Sequence, residues 1–170
     1  LIMHIVLIST PVGSLGSGKG GGVEITLNSL VSELAEQGNT LDIVAPVNSK
    51  LLESSKNVQL HLVGGEEQIS WQHQDYYSPV SIPNNSLLSG MIEKALDLGK
   101  KADVILNFSY DWLPIWMTLN INIPIAHIIS MGSESSVIRN LISKVYSKYP
   151  NNFAFHSKTQ ASDYPFIENP

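Results

Sequence analysis

Short apolar runs alternate with amphipathic segments along the 170-residue chain. A short apolar run is typical of a buried strand, whereas apolar residues three or four positions apart are typical of a helix. The pattern predicts six strands, at residues 3–8, 40–45, 58–63, 102–108, 125–129 and 152–155. Because helices are predicted between most of these strands, we expect a parallel sheet with helices on both faces. The predicted fold class is therefore α/β, a Rossmann-like doubly wound parallel sheet, formed by residues 1–170 as a single domain.

The helices are predicted from their apolar faces and from the residues that start and stop them. The first helix follows the glycine-rich segment described below and ends near Gly38, a residue type that often terminates helices. The second helix carries an apolar face over residues 88–96, and Asn84 or Asn85 is predicted to cap it. Further helices are predicted from Asp111, from near Glu134, after residue 157 and, as a short one, at 50–56.

A glycine-rich segment, residues 9–24, joins the first strand to the first helix with the sequence STPVGSLGSGKGGGVE. The first N–H groups of a helix have no partner within it, and they attract anions, most often phosphate. Gly20, Gly21 and Gly22 stand at this helix start, where the lack of a side chain lets a ligand approach the backbone. With Lys19 beside them, these residues predict a phosphate-binding site.

Four interpretations of the glycine-rich segment remain open. Residues 13–19 fit the G-x-x-x-x-G-K part of a P-loop, but Gly20 stands where a Ser or Thr would hold Mg²⁺. Residues 16–21 fit the dinucleotide motif G-x-G-x-x-G, although that motif begins directly after its strand and several residues intervene here. The third interpretation is a longer loop with Glu24 in the first helical turn, and the fourth is a surface loop without a ligand.

Polar side chains follow the last three predicted strands. The carboxyl ends of parallel strands lie at one edge of a sheet, where open α/β sheets bind their ligands. Asp111 could serve there as a general base or could cap a helix. His127 lies within an apolar strand and is either a hydrogen-bonded core residue or a site residue. The residues expected to share this edge with the glycine-rich loop are Ser109, Tyr110, Asp111, Ser130, Ser133, His156 and Ser157.

Residues 66–85 have no regular period and contain several aromatic residues, including Trp71 and Tyr76. A long loop in a compact domain is often functional. The alternative is that these rings cover an exposed edge of the sheet. The sequence leaves both interpretations open.

Composition narrows the classes of function. The formal net charge of −5 argues against a general nucleic-acid binder, since no basic face is available to neutralise phosphates. The absence of cysteine excludes disulfides and thiolate metal sites, and no two histidines have the spacing of metal ligands. No apolar run is long enough to span a membrane, and the apolar start lacks the features of a signal peptide. We therefore expect a cytoplasmic protein without a metal site.

Three segments together resemble the amino-terminal lobe of the family 4 retaining glycosyltransferases, which have the two-lobed GT-B architecture. They are GGGVE at 20–24, ADVI at 102–105 leading to YDWLP at 110–114, and HS at 156–157. Within this family, residues 9–13, 105–114 and 126–133 are most similar to the cyanobacterial pterin glucosyltransferases. That similarity implies UDP-glucose as the donor and tetrahydrobiopterin as the acceptor.

The resemblance implies a division of labour between two lobes. In this family the amino-terminal lobe binds the acceptor, and the carboxy-terminal lobe holds the nucleotide sugar with a glutamate-rich motif. The chain would then be the acceptor-binding lobe, inactive alone, and its partner would be the enzyme's own carboxy-terminal domain, which lies outside residues 1–170. Helix N–H groups would stabilise the diphosphate leaving group, so no metal or other cofactor is expected.

The resemblance also assigns roles to residues. The donor diphosphate would lie at Gly20, Gly21 and Gly22 beside Lys19, and Asp111 would orient the acceptor. Many family members carry a histidine after the fifth strand, at a place that falls nearer Ser130 than His127. Aromatic rings would stack on the flat pterin. The acceptor-binding residues would be Glu24, Tyr110, Trp112, His127, Ser130, Trp71 and Tyr76.

Two other classes of function remain. A P-loop NTPase is favoured by the spacing at 13–19 and opposed both by Gly20 and by Asn107, which ends the fourth strand where an acidic Mg²⁺ ligand would be expected. A non-catalytic nucleotide-binding module with the same fold is the second alternative, since a fold does not determine a function.

Overall fold

The computed structural model describes residues 1–52 and 55–167. Its strands confirm the predicted set, with ends that differ by at most two residues. They are β1 (His4–Ile8), β2 (Thr40–Pro46), β3 (Val58–Val63), β4 (Val104–Asn107), β5 (Ile125–Ile129) and β6 (Phe153–Phe155). The helices are α1 (Gly22–Glu36), α2 (Leu87–Gly99), α3 (Trp112–Met117), α4 (Ser136–Tyr146) and α5 (Lys158–Ala161).

The six strands form one parallel sheet in the order β3-β2-β1-β4-β5-β6. The chain builds outward from β1 in one direction, then returns to the other side of β1 with β4. This is the strand order of the doubly wound Rossmann fold, and it confirms the predicted fold class. The order reverses between β1 and β4, so the crevice at their carboxyl ends is the expected ligand position.

Helices cover both faces of the sheet because alternate side chains of each strand point to opposite faces. On β1, Ile5 and Leu7 belong to the core beneath α1, and Val6 and Ile8 belong to the core beneath α2. All four side chains are buried, as expected for a central parallel strand. A third apolar cluster, built around α4 and β5, extends the core toward the end of the chain.

Three details of the helices differ from or complete the sequence prediction. The predicted cap of α2 at Asn84 or Asn85 is wrong: Ser86 caps it, since its Oγ accepts a hydrogen bond from the Ser89 N–H at 3.1 Å. The capping interpretation of Asp111 is confirmed, because its Oδ1 accepts from the Trp112 N–H at 2.7 Å at the start of α3. The short helix predicted at 50–56 includes residues 53–54, which lie outside the described residues. The described residues of that range, 50–52 and 55–56, are not helical.

The aromatic loop, residues 66–85, is closed at its base. The Glu66 N–H donates to the Asn85 carbonyl, and the Leu87 N–H donates to the Glu66 carbonyl. Within the loop a single turn of 3₁₀ helix at Trp71–His73 buries the Trp71 ring. The Gln68 N–H donates to the Pro11 carbonyl, so the loop lies against the segment that follows β1. None of the helices in the described part of the chain has the length and apolar content needed to cross a membrane.

Candidate functional site

An open cleft of about 470 Å³ lies at the carboxyl ends of β1, β4 and β5. Its floor includes Thr10, Phe108 and Ser130, which follow these three strands. The glycine-rich loop forms one wall and the aromatic loop another. The cleft therefore lies where the reversal of strand order places a ligand in doubly wound folds.

The family resemblance assigns roles to twelve residues, of which eight line this cleft and four do not. Those that line it are Lys19, Gly20, Gly21, Gly22, Trp71, Tyr110, Asp111 and Ser130. Those that do not line it are Glu24, Tyr76, Trp112 and His127. Residues on both sides of this division are neighbours in the sequence, so only the tertiary structure shows which side chains face the cleft.

Glu24 is one of the four residues outside the lining, and it organises the loop from within. Its Oε2 accepts hydrogen bonds from the N–H groups of Gly16 at 2.7 Å and Gly18 at 3.3 Å. Its Oε1 accepts from the Gly20 N–H at 2.8 Å. The residue is only 6% exposed, so its carboxylate occupies the centre of the loop rather than the surface of the cleft.

This arrangement opposes the P-loop interpretation. In a P-loop the backbone N–H groups cradle phosphates of the ligand, whereas here an internal carboxylate takes three such groups. Gly20 is required for this packing rather than for ligand access, since a Cβ there would lie 2.9 Å from Glu24 Cγ and from Thr10 Cγ2. Glycine at this position also provides no hydroxyl to hold Mg²⁺.

Gly21 and Gly22 differ from Gly20 because they face open space. A Cβ built on either would have no heavy atom within 4 Å. Gly21 has φ +54°, a conformation that favours glycine, and it turns the chain into α1. The Gly22 N–H has no acceptor among the described residues, so a helix-start donor is available at the cleft.

Lys19 places a cation at the rim of the cleft. Its Nζ lies 3.0 Å from Glu67 Oε2, which joins the glycine-rich loop to the aromatic loop. Both side chains are exposed, at 61% and 42%, so the pair is weakly held and Lys19 can turn toward an anion.

Asp111 is 3% exposed and accepts hydrogen bonds both from α3 and from the aromatic loop. Besides capping α3, it accepts hydrogen bonds from Gln68 Nε2 at 3.2 Å and Trp71 Nε1 at 3.4 Å, both in the aromatic loop. Burial raises the pKa of the Asp111 carboxyl above its ordinary value, and the hydrogen bonds from Gln68, Trp112 and Trp71 oppose this shift. Asp111 therefore anchors the aromatic loop to α3, and its proposed role in orienting an acceptor stays a prediction.

Tyr110 lines the cleft with its hydroxyl fixed beneath the loop after β5. The hydroxyl donates to the Gly132 carbonyl at 3.1 Å, and the Tyr164 hydroxyl lies 3.2 Å from it. Burial raises the pKa of Tyr110 to about 12 and also raises that of Tyr164. A neutral, fixed ring of this kind can serve as a stacking surface.

His127 is a core residue, not part of the cleft lining. It is fully buried, its Nδ1 lies 3.0 Å from Asn107 Nδ2, and its Nε2 lies 2.7 Å from Thr118 Oγ1. Because the Asn107 amide donates, Nδ1 accepts and the Nε2–H donates to the threonine. Burial lowers the pKa of His127 to about 3, so the ring is neutral. The hydrogen-bonded core interpretation describes this residue, and both ring nitrogens are already used within the fold.

Two aromatic residues predicted for acceptor binding also lie outside the cleft lining. Trp112 stacks on Trp116 with ring centroids 5.3 Å apart. Tyr76 is 36% exposed and packs edge-on against Tyr77, with centroids 4.9 Å apart. Trp112 follows Asp111 in the sequence and Tyr76 lies five residues after Trp71, and both Asp111 and Trp71 line the cleft. Sequence alone could not distinguish the residues that face the cleft from these neighbours.

The structure adds lining residues that sequence analysis did not assign to the site. Gln160 is the most informative, since its Nε2 donates to the Ile129 carbonyl at 2.8 Å and its Oε1 accepts from the His156 N–H at 2.8 Å. It therefore fixes the ends of β5 and β6 relative to each other. Thr10 could have been found by the rule that residues directly after strands reach the site. The other lining residues that sequence analysis did not name individually are Pro11, Val12, Val23, Thr26, Ile69, Ser70, Gln72, Phe108, Met131 and Gly132.

Serine hydroxyls add polar capacity at the same edge. Among the described residues, the buried side-chain nitrogen and oxygen atoms without a hydrogen-bond partner are four serine hydroxyls in the segments that follow β1, β4 and β5: Ser9, Ser109, Ser130 and Ser133. A hydroxyl both donates and accepts, so it suits water or a hydroxylated ligand. The described residues contain no cluster of three or more His, Asp or Glu side chains arranged to hold a metal ion.

Comparison with known proteins adds no relative to this description. No protein-family model matches the sequence, and no curated protein is significantly similar to it.

Proposed function

We propose that this chain is the acceptor-binding lobe of a retaining glycosyltransferase with the GT-B architecture. In this proposal the enzyme transfers glucose from UDP-glucose to a hydroxyl of a pterin such as tetrahydrobiopterin. The nucleotide sugar would be held mainly by a second lobe of the same enzyme. The reaction would need no metal at this lobe, because helix N–H groups would stabilise the diphosphate.

One observation supports the proposal most: a single cleft carries anion-binding groups on one wall and ring-stacking groups on another. Gly21, Gly22 and Lys19 form the first set, at the start of α1. Trp71 and Tyr110 form the second. A transfer between a diphosphate sugar and a flat acceptor needs these two chemistries side by side.

The donor side of the proposal follows from the open backbone of α1. The Gly22 N–H has no acceptor among the described residues, and nothing blocks the space in front of Gly21 and Gly22. A diphosphate approaching from a facing lobe would meet this donor, the positive end of the helix dipole and the Lys19 ammonium.

The acceptor side follows from fixed rings near polar groups. Trp71 is held by its bond to Asp111, and Tyr110 is held by Gly132 and Tyr164. Rigid rings lose little freedom when a flat ligand stacks on them. Asp111, which lines the cleft, would orient the acceptor hydroxyl.

The decisive experiment is a mass-spectrometric transfer assay. The complete gene product, including whatever follows Pro170, is incubated with UDP-glucose and tetrahydrobiopterin, with guanosine diphosphate sugars and simple alcohols as controls. A pterin product heavier by one hexosyl unit supports the proposal. Turnover of UDP-glucose without that product keeps the transferase and rejects the pterin. No consumption of any sugar nucleotide rejects the transferase and favours a non-catalytic binding module.

A matched pair of glycine variants ties the activity to the cleft. Gly22→Val places a side chain into the open space before α1, so transfer should fall. Gly64→Ala places a methyl group 3.8 Å from Val47 Cγ1, in ordinary contact and outside the cleft lining, so transfer should be unchanged. Equal activity in both variants would reject the proposed diphosphate position.

A further inference from the structure

The glycine-rich loop folds around the carboxylate of Glu24, which lies in the first turn of α1. The N–H groups of Gly16, Gly18 and Gly20 converge on its two oxygens at 2.7, 3.3 and 2.8 Å. These N–H groups come from alternate residues, and their convergence forms an anion-binding concavity, which we call the nest because backbone nests bind anions in a similar way. The anion in this nest is part of the chain itself.

Both carboxylate oxygens are needed as acceptors. Oε2 serves Gly16 and Gly18, while Oε1 serves Gly20 and lies 3.5 Å from Ser17 Oγ. A glutamine has one oxygen and one NH₂ group, and the NH₂ group cannot accept a hydrogen bond. An aspartate is one methylene shorter and would not reach the same N–H groups from α1. These contacts therefore require a side chain with two acceptor oxygens and with the length of glutamate.

The Glu24 contacts couple the loop to the start of α1. Glu24 belongs to the helix, Gly20 belongs to the loop, and Gly21 and Gly22 lie between them in the chain. When Gly20 is held against the glutamate side chain, the backbone of Gly21 and Gly22 is fixed with open space before it. Without this tether, the three glycines from 20 to 22 would keep only the backbone hydrogen bonds between residues 18 and 24, and glycine backbones are the least restricted.

We propose that Glu24 is a positioning residue: its carboxylate fills the nest of the glycine-rich loop and so holds Gly21 and Gly22 in place to present the Gly22 N–H to an anionic ligand in the cleft. The identity of that ligand as a sugar diphosphate rests on the proposed function above. The positioning of the loop does not depend on it. Glu24 thus acts through the loop and not through contact with an acceptor.

The first test compares two charge-neutralising variants on one helix. Glu24→Gln should move the amide proton signals of Gly16, Gly18 and Gly20 upfield, because bonds to a charged acceptor are replaced by weaker ones. Glu36→Gln, which changes an exposed residue of α1, should leave these signals unchanged. The readout is a ¹H–¹⁵N correlation spectrum. Unchanged loop signals in Glu24→Gln would overturn the proposal.

The second test restores the missing anion. Glu24→Ala removes the equivalent of one acetate ion, so added acetate should occupy the nest and shift the loop signals back along a saturable curve. Acetamide has the same size without the charge and should not restore them, and wild-type protein should not respond to acetate. A response to acetate no greater than the response to acetamide would overturn the proposal.

The third test reads the effect on the cleft, with inorganic pyrophosphate as the probe. In wild-type protein pyrophosphate should shift the Gly22 amide signal, and Glu24→Gln should need at least several-fold more pyrophosphate for the same shift. Acetate should restore the response in Glu24→Ala. An equal pyrophosphate response in Glu24→Gln and wild type would overturn the positioning role. If pyrophosphate does not shift the Gly22 signal of the wild-type protein, the proposed diphosphate position and the presentation of the Gly22 N–H are both rejected. Intact loop signals in the same spectrum would show that the protein is folded.

Discussion

Two buried aspartates, Asp111 at the cleft and Asp42 in β2, show how the choice of partner sets the behaviour of a carboxylate. They are 3% and 7% exposed, so both lose most of their contact with water. Burial raises the pKa of Asp111, and the neutral donors around it do not cancel this effect. Burial also raises the pKa of Asp42, but hydrogen bonds from His61 and His4 outweigh it and hold the pKa below its ordinary value.

The surroundings of Asp42 form a cluster that joins three strands. His4 Nε2 lies 2.5 Å from Asp42 Oδ2, and His61 Nε2 lies 2.6 Å from Oδ1, so the carboxylate bridges β1 and β3 from β2. None of the three residues lines the cleft. The two buried aspartates therefore have different roles. Asp42 connects three strands through ionisable histidines, whereas Asp111 connects the aromatic loop to α3 through neutral donors.

The largest expected effect comes from removing the acid at the centre of the histidine cluster. Asp42→Ala leaves two histidines without their acceptor and should lower the free energy of unfolding by about 2–3 kcal/mol. Urea denaturation measures this loss. The control is Asp97→Ala, which removes an exposed carboxylate paired with Lys100 and should change stability little. Equal stability of the two variants would contradict the assigned role of Asp42.

The next largest change in stability is expected at Gly20, in contrast to Gly22, which also lines the cleft. Gly20→Ala forces a Cβ within 2.9 Å of Glu24 Cγ and Thr10 Cγ2, so it should destabilise the protein by about 1–3 kcal/mol. Gly22→Ala meets no atom within 4 Å and should change stability by less than about 1 kcal/mol. Thermal denaturation distinguishes them, and a Gly20→Ala variant as stable as Gly22→Ala would show that the loop does not pack as described.

The dependence of stability on pH sharpens the comparison of the two aspartates. The folded-state pKa of Asp42 is lowered from 3.8, so its contribution is present above pH 3.8 and is lost as the pH falls through the folded-state pKa. The folded-state pKa of Asp111 is raised from 3.8, so its contribution is full below pH 3.8 and is lost as the pH rises through the folded-state pKa.

Asparagine variants test these opposite signs. Relative to wild type, Asp42→Asn should lose less stability as the pH falls below 3.8, and Asp111→Asn should lose less as the pH rises above it. Urea denaturation at a series of pH values measures both. Two variants with the same pH profile would contradict the opposite shifts.

The smallest effect on stability is expected at the rim of the cleft. Lys19→Ala breaks an exposed ion pair with Glu67 and should cost less than about 0.5 kcal/mol of unfolding free energy. The same change should weaken the binding of pyrophosphate, more at low than at high ionic strength, because exposed charges are screened by salt. Titration at two salt concentrations checks this, and Lys100→Ala serves as the control. An unchanged pyrophosphate affinity would remove Lys19 from the site.

Sequence patterns were sufficient for the framework because its signals are local. The apolar run of β1 and the spaced apolar residues of α1 identify their elements without any knowledge of the rest of the chain. The rule that parallel strands present their carboxyl ends together was sufficient to group the glycine-rich loop with Tyr110, Asp111 and Ser130. The cap of α2 was misplaced by one or two residues because Asn84, Asn85 and Ser86 are all residue types that favour helix caps.

The sequence by itself determined the fold class and the edge of the sheet at which the cleft lies, because hydrophobic period, glycine content and the order of elements are properties of neighbouring residues. Only the tertiary structure decided which side chains face the cleft. It placed the Glu24 carboxylate inside the loop because three backbone N–H groups converge there, and it buried His127 because Asn107 and Thr118 satisfy both ring nitrogens. Such contacts join residues on different elements, and no local pattern encodes which partner a polar group will meet.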